Sequence, residues 1–185
     1  MDHDATQLLI DWDNGDEDAL AQLVPLVQKE LHRLARLYLS RERPNHSLQP
    51  TELVDLAYLN LLIWKPVGLK NRSHFIGIVA RLMRNVLVDH GVEFRRRGIR
   101  ISLTEADKEA QEVWAEIIAL DDALIDLGKL DPPKLQLAEL RYFGGLTMKE
   151  VSEALDKPLR TLEHEWTFTK AWLKCELDRR QKDES

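Results

Sequence analysis

Cysteine is nearly absent from this 185-residue chain: Cys175 stands alone. One thiol excludes a disulfide framework and a cysteine-based metal site. Glycine and proline are scarce, at 8 and 7 residues, and no apolar run alternates with period two as a strand would. Helix-forming residues dominate what remains, so the fold class is all-α. No apolar stretch approaches the roughly 20 residues of a membrane span. The first residues lack the basic-then-apolar pattern of a signal peptide. These absences predict a cytoplasmic protein with no membrane partner. Six histidines, at 3, 32, 46, 74, 90 and 164, show no H-x-x-x-H or H-E-x-x-H spacing. Glycine-rich phosphate loops, a nucleophile elbow and a carboxylate pair are also missing. The chain is therefore expected to be no enzyme and to hold neither metal nor cofactor. Its five tryptophans and Cys175 fall mostly at apolar helical positions, where packing is the default role.

What the chain has is charge patterning. Residues 1–30 carry one Lys against eight Asp/Glu, and residues 31–100 carry 13 Lys/Arg against five acids. Residues 101–128 return to one Lys against eight acids, and residues 129–185 balance at 11 each. A basic middle between acidic flanks fits a polyanion-facing module beside segments that can fold onto it and mask it. The plainer alternative is a set of solvated helix faces.

Helical patterns follow in order. Thr6 to Trp12 reads as a short helix, and Asp16 opens a long one to about Ser40. The long helix has apolar positions Leu20, Leu23, Val27, Leu31, Leu34 and Tyr38 at spacings of three or four. Arg41 to Pro50 reads as a loop. Thr51 is placed as the cap of a helix to Trp64, broken by Lys65-Pro66-Val67-Gly68. Another long helix runs from His74 to Arg95 with Phe75, Val79, Leu82 and Val86 as its seam. Gly98 to Glu112 lacks periodicity and reads as linker. Helices then follow over 112–127 and 133–143.

The last stretch, LRYFGGLTMKEVSEALDKPLRTLEHEWTFTKAWLK, has the layout of a helix-turn-helix. Thr147 caps a helix from Met148 to Leu155 with Val151, Ala154 and Leu155 inward. Asp156-Lys157-Pro158 makes the turn, with Pro158 suited to a first helical position. Leu159, Leu162, Trp166 and Ala171 or Leu173 supply the next apolar stripe. A second helix set this way enters the DNA major groove in such motifs. Its outer face nevertheless carries Glu163, His164 and Glu165, where phosphate-seeking Lys or Arg would be expected.

Four motifs in this order resemble the sigma-70 transcription initiation factors of the minimal extracytoplasmic-function type. LQPTELVDLAYLNLLIW is similar to their polymerase-binding helix, and FIGIVARLMRNVLVDHGVEFRRR to their promoter-melting helix. RERPNHSLQPTELV, LVDH and LRYFGGLT resemble a subgroup linked to Ser/Thr kinases. The resemblance implies two small helical domains. Residues 1–97 would form a region-2-like unit, 98–111 a linker, and 112–185 a region-4-like helix-turn-helix unit. It implies core RNA polymerase (the β′ coiled coil and β flap) and promoter DNA as partners. The polymerase side would use Glu52, Leu53, Asp55, Leu56, Tyr58, Leu59 and Asn60. The minus-ten element would meet Asn71, Arg72, His74, Arg81, Arg84, Asn85, Arg95, Arg96 and Arg97. Arg160, Thr161, Glu163, His164, Thr167 and Lys170 would face the minus-thirty-five element. An adaptor that binds polymerase or DNA without initiating transcription is the alternative.

Relatives usually begin the polymerase-binding helix Asp-Ala-Glu-Asp; here the aligned residues are Gln49, Pro50, Thr51 and Glu52. Phosphorylated Thr carries about −1.5 to −2 charges, close to what is lost. Thr51 is therefore the expected regulatory phosphosite, written by a Ser/Thr protein kinase.

Overall fold

The computed structural model describes residues 2–39, 48–64, 68, 71–98 and 105–183. Among these there is no strand. Eight α-helices and one π-helical turn follow in the order α1 (Asp2–Asp13), α2 (Glu17–Leu39), α3 (Pro50–Trp64), α4 (Arg72–Gly98), α5 (Glu105–Leu130), α6 (Pro132–Ala138), the π turn (Glu139–Phe143), α7 (Met148–Leu155) and α8 (Leu159–Asp183). Helices α1–α4 form one cluster and α5–α8 another.

Local chemistry sets most of the boundaries. Gly15 adopts φ +102°, where a side chain would be strained, and so lets α1 turn back into α2. The α2 helix runs through Pro25 as a single element. Thr147 and Glu150 form a reciprocal capping box at the start of α7. Asp156 ends that helix in the left-handed region at φ +53°. Asp131 accepts from the Lys134 amide and caps α6, with proline filling its first turn. Pro158 lies just outside α8 rather than in its first turn, its carbonyl accepting from the Leu162 amide.

Several boundaries differ from the sequence reading, including the start of α1, at Asp2 rather than Thr6. The α5 helix begins at Glu105, seven residues before the expected Glu112, so half of the expected linker is helical. Its first turns hold five polar residues in seven, EADKEAQ, and helix propensity rather than apolar periodicity organises them. The α4 helix begins at Arg72, because Asn71 caps it: its side-chain oxygen accepts from the His74 amide at 2.9 Å and its carbonyl from the Phe75 amide. Residues 41–47 of the expected loop lie outside the described residues.

The predicted seams are buried. Leu20, Leu23, Val27, Leu31 and Leu34 of α2 meet Leu53, Ala57 and Leu61 of α3 and Phe75, Val79 and Met83 of α4. Leu124 and Leu127 of α5, Leu137 of α6, Val151 and Ala154 of α7, and Leu162 and Leu173 of α8 fill the second cluster. Each such leucine contributes about 1.5–3 kcal/mol on burial. The two clusters are not separate bodies. Helix α4 packs against α5, the π turn and α7, so the buried residues form one continuous apolar core. Cys175 and Trp64 depart from the expected packing role, for both are exposed. Cys175 lies on the outer side of α8, and Trp64 is the last residue of α3.

Candidate nucleic-acid interface

The α3 helix presents two faces. Leu53, Val54, Ala57 and Leu61 point into the core. Leu53 was expected to touch a partner, but it is fully buried and supports the helix from below. Thr51, Glu52, Asp55, Leu56 and Leu59 are exposed, and Tyr58 and Asn60 are half-buried. Leu62, Ile63 and Trp64 extend the exposed row, with Ile63 at 82 %. An apolar ridge of this size on one helix marks a surface meant to be covered. Thr51 is not the cap. The helix starts at Pro50, the Leu53 amide donates to the Gln49 carbonyl, and the Glu52 carboxylate reaches back to the Gln49 amide at 3.4 Å. Thr51 therefore sits in the first turn with its side chain exposed.

The α4 helix carries most residues expected at the minus-ten element, and the structure divides them. Asn85 and Arg96 are exposed, Arg96 lying 3.5 Å from Glu93. The side chains of Arg95 and Arg97 lie outside the described ones. Arg72 pairs with Glu30 at 2.9 Å, and His74 is half-buried in the first turn. Asn71 does not present a free amide: its side-chain nitrogen donates to the Glu153 carbonyl of α7 at 3.2 Å. Its capping role and this cross-link use both ends of the group.

Arg84 lies in the interior. Expected to face DNA, it is only 5 % exposed. Its guanidinium lies 3.0 Å from Asp121 of α5, 3.2 Å from Glu139 of the π turn and 5.1 Å from the Phe143 ring centroid. Arg81 joins from the half-exposed rim, 3.5 Å from Glu139. Burial pushes the Glu139 and Asp121 carboxyls up, against the pull of Arg84. The Arg84 contacts are ionic rather than aligned hydrogen bonds, since its Nε and Nη1 and Glu139 Oε1 lack hydrogen-bond partners. Tyr38 of α2 donates to the Phe143 carbonyl, and burial holds its hydroxyl well above the usual phenol range. Sequence periodicity placed these residues on helices but could not place one helix cluster on the other.

The acidic flanks do reach the basic middle, at single points: Glu30 meets Arg72, and Asp121 meets Arg84. The Asp13 carboxylate also accepts from the Gly68 amide at 3.0 Å, and aromatic packing adds to these polar contacts. His90 and Phe94 of α4 pack on Trp114 of α5, with ring centroids 5.3 and 6.4 Å away.

The helix-turn-helix of α7 and α8 leaves Arg160, Thr161, Glu163, His164, Thr167 and Lys170 exposed on one side of α8. Thr167 returns its hydroxyl to the Glu163 carbonyl at 3.1 Å, and Lys170 lies over the Trp166 ring at 5.7 Å. His164 packs edge-on against exposed Phe168 at 4.8 Å. Glu165 pairs with Lys157 at 3.7 Å, which neutralises one of the two carboxylates. Glu163 has no Lys or Arg within ion-pair distance among the described ion pairs.

No group of His, Cys, Asp and Glu able to hold a metal occurs among the described residues, and no described helix is long and apolar enough to cross a membrane. The model of one protein family, described as ECF sigma factor, matches residues 2–179. Neither a curated protein nor a solved structure matches the chain.

Proposed function

The chain belongs to the ECF sigma factor family, and from that premise we propose that it grips core RNA polymerase through the outer face of α3 and directs it to promoters through α4 and α8. Family membership gives a bacterial, cytoplasmic transcription factor that binds polymerase and DNA and catalyses nothing. The observation that carries the α3 assignment is its outer row, Glu52, Asp55, Leu56, Leu59, Leu62 and Ile63, an apolar ridge edged by two acids. Acids at its start suit a basic coiled coil of the β′ subunit. Arg81, Asn85 and Arg96 would meet the minus-ten strand, with Arg81 and Arg96 supplying positive charge, and Arg95 and Arg97 are their neighbours in the sequence. The exposed residues of α8 would meet the minus-thirty-five duplex, and α8 with its neighbours the β flap.

Thr51 is the proposed switch. A phosphate there would sit in the first turn of α3, beside Glu52. The helix dipole favours an anion at such a position by about 0.3–1 kcal/mol. The added charge, about −1.5 to −2, replaces the two acids missing at Gln49 and Thr51. Resemblance to the kinase-linked subgroup supports a Ser/Thr kinase as the writer. Polymerase pull-down and transcription with phosphorylated protein, Thr51→Glu and Thr51→Ala test this. Phosphorylated protein should bind best and Thr51→Ala worst; equal activity of Thr51→Ala and phosphorylated protein removes the switch.

Glu163 and His164 on the exposed face of α8 favour one second reading, an adaptor that binds polymerase without reading upstream DNA. Run-off transcription by core polymerase separates the two, since an adaptor yields no transcript of its own.

A further inference from the structure

The outer face of α8 carries a charge that phosphate contact does not explain. Arg160, Glu163, His164 and Thr167 follow at i, i+3, i+4 and i+7, so they share one side of the helix, and all four are exposed. Glu163 stands in the middle of that row, and its neighbours leave its carboxylate free. Arg160 lies one turn before it, yet neither side chain enters an ion pair among the described residues. Glu165, the next carboxylate along the chain, is held by Lys157 at 3.7 Å. Thr167, one turn later, donates its hydroxyl to the Glu163 backbone carbonyl at 3.1 Å. His164 turns aside onto the Phe168 ring at 4.8 Å. Positive charge stands around this centre, with Arg160 before it and Lys170 and Lys174 after it, all exposed.

Cations at the edges and one unpaired acceptor at the centre suit a base reader better than a phosphate clamp. Resting on the assignment of α8 to upstream duplex DNA above, we propose that Glu163 selects a cytosine in the minus-thirty-five element by accepting from its N4 amino group in the major groove. Glu163 lies in the second turn of α8, and recognition helices meet base edges with their N-terminal residues.

The choice of base follows from the groove. Cytosine shows the major groove a donor with no acceptor beside it. Guanine shows two acceptors, N7 and O6, and thymine shows O4, so both repel a carboxylate. Adenine offers its N6 amino group, but the N7 acceptor lies next to it. The same carboxylate repels every phosphate. Selection therefore works by weakening the wrong sites as well as by matching the right one. Arg160, Lys170 and Lys174 then supply the attraction that does not depend on sequence.

The test uses the full chain with core RNA polymerase. A promoter at which the protein starts transcription is made as a duplex library with its minus-thirty-five base pairs randomised, and the templates that the complex retains are sequenced. The parent should enrich a C·G pair at one position by about five- to tenfold over the other pairs. Glu163→Gln should move that one position to A·T, because a glutamine amide pairs with adenine N6 and N7. Glu163→Ala should lose the preference there. Glu165→Gln, which changes the carboxylate paired with Lys157, should keep the parent motif. Glu163 is exposed, so the variants should fold, and far-UV circular dichroism checks it.

A motif that Glu163→Gln leaves unchanged overturns the proposal and returns Glu163 to a solvated helix face. A position that responds to Glu163→Gln but prefers a base other than cytosine in the parent overturns it too. If the parent binds polymerase and enriches no upstream pair at all, the assignment of α8 to DNA fails and takes the cytosine with it.

Discussion

Gly91→Ala is expected to be destabilising, against the usual rule for a helix interior. Replacing an interior helical glycine by alanine ordinarily stabilises by about 1 kcal/mol. Here the new methyl would lie 2.6 Å from Cε3 and 3.2 Å from Cδ2 of the Trp114 indole, a rigid ring with little freedom to yield. Inserting a methyl into a packed contact of this kind costs about 1–3 kcal/mol. The net loss is then roughly 0–2 kcal/mol after the propensity gain is subtracted. In a Trp114→Leu background the overlap disappears and only the gain of about 1 kcal/mol remains. The coupling between the two positions equals the overlap, about 1–3 kcal/mol. Urea unfolding of the parent, both single variants and the double variant, followed at 222 nm, measures it. Equal effects of Gly91→Ala in both backgrounds would refute the close packing of α4 on α5.

Thr147→Ala removes the side-chain half of the capping box on α7 and should cost about 1 kcal/mol in urea unfolding; a change of only a tenth of that would mean the cap contributes little. Burial raises the Glu139 carboxyl above its usual 4.5, so the folded protein binds that proton more tightly than the unfolded chain does. The stability this gives is fully present below the unfolded value and is lost as pH rises through the raised folded one. The parent should therefore lose ground to Glu139→Gln as pH climbs through that window, with Asp121 left to balance Arg84; a parent that gains on the variant contradicts the assignment. Glu163→Lys exchanges a repelling carboxylate on the exposed face of α8 for a phosphate contact. It should tighten binding to a mixed-sequence duplex and steepen the log-salt slope by about one; an unchanged slope would place α8 away from the DNA backbone.

The helices of this fold were legible because their seams repeat at helical spacing. Leu20 to Leu34, Phe75 to Met83 and the capped α7–α8 pair each carry their own signal in adjacent residues. The family was legible from four motifs in order. The pairing of the clusters was not, because it depends on residues far apart in the sequence, such as Arg84 with Asp121, Asn71 with Glu153 and Tyr38 with Phe143. Arg84 looks like a DNA contact in any one-dimensional reading, and its burial comes from what α5 and the π turn bring to it. Gly77 and Gly91 in α4 were the one local clue, a break in helix propensity with no turn to explain it. At the start of α3, the cap and the first turn are one residue apart, and Pro50 decides between them by entering the helix itself.

The most direct test of the central claim is transcription of the source genome's DNA by core RNA polymerase with and without the protein, with transcript 5′ ends sequenced. A sigma factor predicts protein-dependent start sites that share one pair of upstream motifs about a minus-ten and a minus-thirty-five element. Polymerase binding without any new start site, from phosphorylated and unphosphorylated protein alike, would contradict it and leave the adaptor.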